Sequence, residues 1–252
     1  MILGILQARM NSSRLPGKVL KEVLGKPMLI RQVERIKRSK FIDDLIIATS
    51  INPLDNKIED LCIKNKLKFF RGDEEDLLDR FYKAAKKHNA KIIVRLTGDD
   101  PLTDPDLIDD MIKAFENGNY HAVSNSNYPT YPEGLDLTVF SFETLKDCWK
   151  NAKLKSQREH VTPYMFENKD KYKVYHYKQD QDKSHLRWTV DYEEDLLLIR
   201  EIYRILYHQK NNFSSKDIYK LLENQPTLVD INSKFIRNEG LIKSLENDEL
   251  IK

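Results

Sequence analysis

Gly4 to Leu20 reads GILQARMNSSRLPGKVL. It opens as a buried strand and then sets Arg9, Arg14 and Lys18 in a loop with Asn11, Ser12, Ser13 and Gly17. An ordinary surface turn needs none of these charges, whereas a loop that wraps a polyanion uses all of them. Backbone N–H groups at a strand end, and the positive end of a following helix, favour an anion. Arginine then grips phosphate oxygens as a fork and lysine as a point charge. The spacing is neither GxxxxGK[ST] nor GxGxxG, so the P-loop and dinucleotide readings fail. A solvated basic loop is the plain alternative in a chain whose residues are 33% charged.

Working outward, short apolar runs alternate with amphipathic segments. Strands are expected at Ile2–Leu6, Leu45–Thr49, Lys68–Phe70, Ile92–Leu96 and His121–Ser124, and helices at Pro27–Arg38, Leu54–Asn65, Asp76–His88 and Pro105–Glu116. Pro27 and Pro105 suit first helical positions, where a missing N–H costs nothing. This alternation predicts an α/β fold, a mainly parallel sheet with helices on both faces and ligands beyond the strands' carboxyl ends.

After Asn125 the rhythm changes. NSNYPTYPEGLD is longer than a connector needs and reads as a binding loop. Helices follow at Phe142–Asn151 and Gln157–Glu167, strands at Lys173–Lys178 and Leu186–Val190, and helices at Glu193–Tyr207 and Lys216–Glu223. One domain over 1–225, with an insertion at about 125–185, is expected to precede a charged, weakly periodic arm at 226–252.

Bulk properties exclude several classes. Forty-two basic against 40 acidic residues give a net charge of +2, too little to grip nucleic acid globally. Cys62 and Cys148 are the only cysteines, which excludes a disulfide framework and a Cys-type zinc site. Apolar runs are strand-sized, so neither a signal peptide nor a membrane partner is expected, and a cytoplasmic location is.

Two acidic segments complete the candidate chemistry. In RLTGDDPLTDPDLID the strand runs into Thr97 and Gly98, placing Asp99 and Asp100 at its carboxyl end. A carboxylate there can hold magnesium beside substrate phosphates; Asp104 reads as the cap of the helix at Pro105. In SHLRWTVDYEEDLLLIR, Asp191 ends an expected strand, and on this segment alone it also reads as a helix N-cap. The histidines show no metal spacing. His160, beside Glu159, is the candidate to meet a substrate group, with a structural role the plainer alternative for a lone histidine.

These segments resemble a known family. LQARMNSSRLPGKVL, GKPMLIRQVERIKRS and IIATS resemble the opening of the cytidylyltransferases that make CMP-activated acidic sugars, the CMP-Kdo synthetases and acylneuraminate cytidylyltransferases. FRGDEEDLLDRFYKAAKKH, YPEGLDLTVFS, REHVTPY and HLRWTVDYEEDLLLI resemble the spore-coat polysaccharide branch more closely. The resemblance spans about Ile2 to Tyr207. It implies a GT-A-like nucleotidyltransferase with a small dimerisation and substrate insertion, working as a homodimer on CTP and a small sugar-like acceptor. It further implies that Gln7, Ala8, Arg9, Ser12, Ser13, Arg14, Lys18, Arg71 and Thr97 bind the nucleotide. Arg14, Lys18 and Asp99 would carry catalysis, Asp99 and Asp191 would bind Mg2+, and Glu133, Asp136, His160 and Arg187 would contact the acceptor. Where the sugar-acid enzymes carry a Q-G-D-E-P-like run, this chain has Thr97-Gly98-Asp99-Asp100-Pro101, a departure that bears on the acceptor. Two rival readings are a GT-A-like glycosyltransferase using a nucleotide sugar, whose D-x-D motif would fall at Asp104–Asp106 or Asp180–Asp182, and a non-catalytic nucleotide-binding relative.

Overall fold

A computed structural model describes residues 1–251. In chain order the elements are β1 (Ile2–Gln7), β2 (Glu22–Val23), β3 (Lys26–Pro27), α1 (Met28–Ile36), β4 (Asp44–Ser50), α2 (Asn56–Lys64), β5 (Lys68–Gly72) and α3 (Leu77–Lys87). Then come β6 (Ile92–Thr97), α4 (Pro105–Asn117), β7 (Ala122–Ser124), β8 (Thr138–Ser141), α5 (Phe142–Asn151), α6 (Lys155–His160), α7 (Pro163–Glu167) and β9 (Val174–His176). The chain closes with α8 (Glu193–Leu206), α9 (Ser215–Asn224), α10 (Thr227–Asp230) and α11 (Glu239–Glu246).

The main sheet has the order β5-β4-β1-β6-β8-β7-β9, and within it only β8 runs against its neighbours. Side chains alternate along a strand, so β1 feeds two cores. Leu3 and Ile5 pack towards α3 and α5, and Leu6 packs towards α1, α4 and α8. Because β8 is reversed, it starts at the edge where the other strands end. The 125–137 loop therefore lies on the same rim as the carboxyl ends of β1 and β6.

The expected mixed, mainly parallel α/β sheet is present, with corrections in detail. Within residues 125–185, β8 and β9 join the main sheet. β8 and the β2–β3 hairpin have no counterpart among the expected elements. That hairpin turns through Leu24 and Gly25, both at positive φ, the geometry that matches strand twist. Gln157–Glu167 is two helices, broken at Val161 (φ 70°) just before Pro163 starts α7. Leu186–Val190 is extended but joins no sheet. Its backbone pairs with loops instead, Trp188 N with Glu133 O and Val190 N with Asp99 O. The segment from 226 to Ile251 is no free arm: it folds back across the rim and fastens to α6, where Lys155 N bonds Glu249 O and Ser156 N bonds Asp248. Lys252 lies outside the described residues.

Two glycines hold the rim together. Gly98 N donates to Gln7 O, and a Cβ at Gly98 would lie 2.6 Å from that oxygen. Gly134 has φ +106°, and a Cβ there would meet Trp188 C and Thr189 N at 2.5 Å, backbone that cannot swing aside. Gly134→Ala is therefore expected to lose about 1–3 kcal/mol or more of stability in urea unfolding and to part the Glu133 and Arg187 segments. Parent-like unfolding would show that this approach relaxes freely.

Candidate active site

Beyond the strand ends lies a cleft of about 910 Å³. The Arg9–Lys18 loop forms one wall and is tied down by Asp55, which accepts from Met10 N at 2.7 Å and from Ser50 N at 3.0 Å. Gly17, at φ 69°, turns the chain into a single 3-10 turn, Lys18–Leu20. No long helix follows the loop, so its side-chain cations, rather than a helix dipole, supply the positive charge.

Lys18 is the hub. Its Nζ stands 2.7 Å from Asp99 Oδ2 and 2.8 Å from Asp191 Oδ1. Asp191 also takes Arg14 Nη2 at 2.6 Å and Arg187 Nη2 at 2.9 Å. Arg187 continues to Asp195 at 2.9 Å and Glu133 at 2.5 Å. Burial opposes ionisation of Asp191, but Lys18, Arg14 and Arg187 outweigh it and hold its pKa down to about 2. Burial likewise opposes the Lys18 charge, and the two aspartates outweigh it, raising its pKa. Asp191 is not the helix cap. Tyr192 occupies that position, and fully buried Asp195 accepts from Asp191 N and Tyr192 N at 2.9 and 3.0 Å.

The other expected residues divide. Gln7, Ala8, Arg9, Ser12, Ser13, Arg14 and Thr97 line the cleft, as do Glu133, Asp136 and His160. Arg187 stands behind the wall and holds Glu133 and Asp191 in place. Arg71 does not reach the cleft lining; its guanidinium is spent on Glu59, Asn56 and the carbonyls of Ser50 and Asn52. Asp136 pairs with Arg237 at 2.5 Å. His160 Nε2 lies 2.9 Å from Ser244 Oγ, and burial with the nearby charges of Arg95 and Arg9 pulls its pKa to about 4, so it is neutral near pH 7.

The sequence reading missed the C-terminal contribution. Asn238 N donates to Glu133 Oε1 at 2.8 Å, and Glu239 takes Arg14 Nη1 at 2.9 Å and Tyr192 OH at 2.7 Å. Nothing in the weak periodicity of 226–252 pointed to a cleft wall. Arg95 and Arg80, also on the cleft, were missed because a cation in a strand or helix interior carries no motif.

Comparison with known proteins bears on this geometry. The cytidylyltransferase family model matches residues 3–223. This chain belongs to the cytidylyltransferase family. It is 40% identical over 234 residues to a Methanocaldococcus jannaschii protein, covering 92% of this chain and 94% of that one. It is 36% identical over 234 residues to the spore coat polysaccharide biosynthesis protein SpsF of Bacillus subtilis, covering 89% of this chain and 95% of SpsF. The structure of a cytidylyltransferase from Leptospira borgpetersenii superposes with a TM-score of 0.88 at 32% identity, covering 94% of this chain and 99% of the other. The chain is thus a nucleotidyltransferase with the expected fold. α11 lies outside the span of the family model.

Asp100 supplies a structural test. It is buried, and burial and adjacent Asp99 push its carboxyl well above the ordinary range, against the hydrogen bond from Thr97. A raised carboxyl pKa gives stability that is complete below the unfolded value of about 4 and is lost as pH climbs through the folded one. Asp100→Asn cannot ionise, so its melting temperature relative to the parent is expected to rise between about pH 5 and about pH 8. A pH-independent difference in thermal melts would show that the ionised carboxylate is already accommodated.

Proposed function

We propose that this enzyme transfers CMP from CTP to an oxygen of a small sugar-like acceptor, releasing pyrophosphate, in polysaccharide or glycan assembly. One observation carries the reading: the basic loop and two aspartates from distant segments meet at Lys18 on the rim of an α/β sheet. The likeness to SpsF, whose name places it in spore coat polysaccharide biosynthesis, supports the pathway class.

In the transfer the acceptor oxygen bonds to the α-phosphorus, the bond to the β-phosphate oxygen breaks, and the acceptor proton is lost to solvent. Such reactions depend on positioning and charge neutralisation more than on covalent help. Arg9, Arg14 and Lys18 would hold the triphosphate and neutralise the leaving pyrophosphate. Neutral His160 would orient the acceptor through a hydrogen bond, as would Glu133, which Arg187 and the Asn238 backbone fix in place.

Asp99 and Asp191 suit a magnesium ion, because their oxygens already converge on one cation, the Lys18 ammonium. Magnesium takes one or two carboxylates alongside phosphates and waters, and these two aspartates would be that pair. When bound, the ion would polarise the α-phosphate and lower the acceptor's pKa.

The glycosyltransferase alternative gains no support. Asp104 caps α4 and also accepts from Ser215 N at 3.0 Å, Asp182 caps the turn at Ser184, and neither lies on the cleft.

Pyrophosphate release with each of the four nucleoside triphosphates and a panel of acceptors tests the reading; no release with CTP and any acceptor would sink it. Lys18→Ala is expected to lose about 2–4 kcal/mol of transition-state stabilisation in kcat/KM. Asp191→Asn is expected to lose at least about a hundredfold in turnover and to melt below the parent, since Lys18, Arg14 and Arg187 lose a shared counter-charge. Mild effects from both substitutions would make the hub purely structural. Glu239→Gln removes the carboxylate that competes with phosphate for Arg14, so calorimetry should show CTP binding about three- to tenfold tighter. Weaker binding would mean that Glu239 helps to seat the nucleotide.

A further inference from the structure

Most cations on the cleft wall are already satisfied within the protein. Lys18 and Arg14 hold carboxylates, Arg80 holds the carbonyls of Asp73 and Glu74, Lys243 holds Glu239, and Lys169 holds Tyr128 OH. Among the described residues Arg9 and Arg95 have no hydrogen-bond or ion-pair partner. The two differ in kind. Arg9 is exposed on the opening loop. Arg95 is rooted in β6, with its Nε sealed from solvent and unpartnered.

A guanidinium placed this way is costly unless something pays its desolvation. Three nearby carboxylates attract it, but none bonds to it. Asp99 is engaged by Lys18, Asp136 by Arg237, and Asp100 by the Thr97 hydroxyl. None of these carboxylates bonds to Arg95, which leaves its guanidinium open to a ligand in the cleft.

Its place in the sheet indicates which ligand. Arg95 pairs in register with Thr138 of β8 on one side and Ile5 of β1 on the other. It lies two residues below Thr97 on the same strand face, beneath the rim where the Glu133–Asp136 loop enters β8. Its charge reaches His160 strongly enough to help keep that ring neutral. With His160 neutral, Arg95 is a source of positive charge on its side of the cleft. The triphosphate is already provided for by Arg9, Arg14 and Lys18.

We infer that Arg95 is the acceptor-selecting residue, holding an anionic substituent of the acceptor, a carboxylate or a phosphate ester, from beneath. This rests on the nucleotidyl-transfer reading above.

Calorimetry on the full chain, with the nucleotide site filled by CTP, tests it with two probes, pyruvate for a carboxylate and inorganic phosphate for a phosphate ester. The parent is expected to bind one of them, and the probe that binds identifies the anion. Arg95→Gln should weaken that binding about 30- to 100-fold and change CTP affinity less than about threefold, with Arg95→Lys between the two. Arg95→Gln keeps every hydrogen bond and ion pair of the protein, so it should still unfold in one cooperative transition, losing only the attraction of Asp99, Asp100 and Asp136. Failure of CTP itself to bind would sink the nucleotidyl-transfer reading and this assignment together. With CTP bound, the assignment alone falls if neither probe binds the parent or if Arg95→Gln binds the probe as well as the parent does.

Discussion

The rim is organised by one ammonium between two carboxylates. Lys18 Nζ lies within 2.8 Å of both Asp99 and Asp191, which arrive from segments far apart in the chain. Without a cation between them these carboxylates would repel in a partly desolvated site. With it, the opening loop, the end of β6 and the segment leading into α8 are drawn to one point. Arg187 extends the same logic inward, and Asn232 Nδ2 supports Asp195 from behind at 2.8 Å. Removing a single member of such a buried network leaves its partners charged and unpaired, so these residues act as a unit.

The charges at the hub are also those the chemistry needs. Loop cations that balance aspartates in the resting protein are the ones that would meet a triphosphate. α11 takes part in the same exchange, because Glu239 sits on Arg14 in the position of a surrogate anion. Internal ion pairs thus hold most of the cleft's cations in place. Arg9 and Arg95 depart from this pattern, and of the two only Arg95 does so with a buried nitrogen unpartnered.

Much of this was legible in the sequence. Alternating apolar runs and amphipathic segments located the parallel half of the sheet, because a strand buried on both faces reads as a continuous β-branched run. The loop cations, Asp99 and Asp191 were marked by their position at strand ends. β8 was not legible: four residues, Thr138–Ser141, are too few to show a period, and their pairing partners lie more than ten residues away. The extended segment before Asp191 looked like a strand because Leu186, Trp188 and Val190 alternate, yet its partners are loops.

What the sequence by itself determined is the local chemistry: which segments are apolar enough to be buried, which turns demand glycine, and which loop concentrates cations. Only the tertiary structure decided how those charges are used. Arg71 looked like a ligand-binding arginine and is consumed by Glu59, Asp191 on its own segment also read as a cap and is an ion-pair partner, and Arg95 carried no motif and remains unpaired. The physical reason is that an ion pair depends on distance in space. Whether a charge is spent or available is settled by which partners the fold brings within about 4 Å.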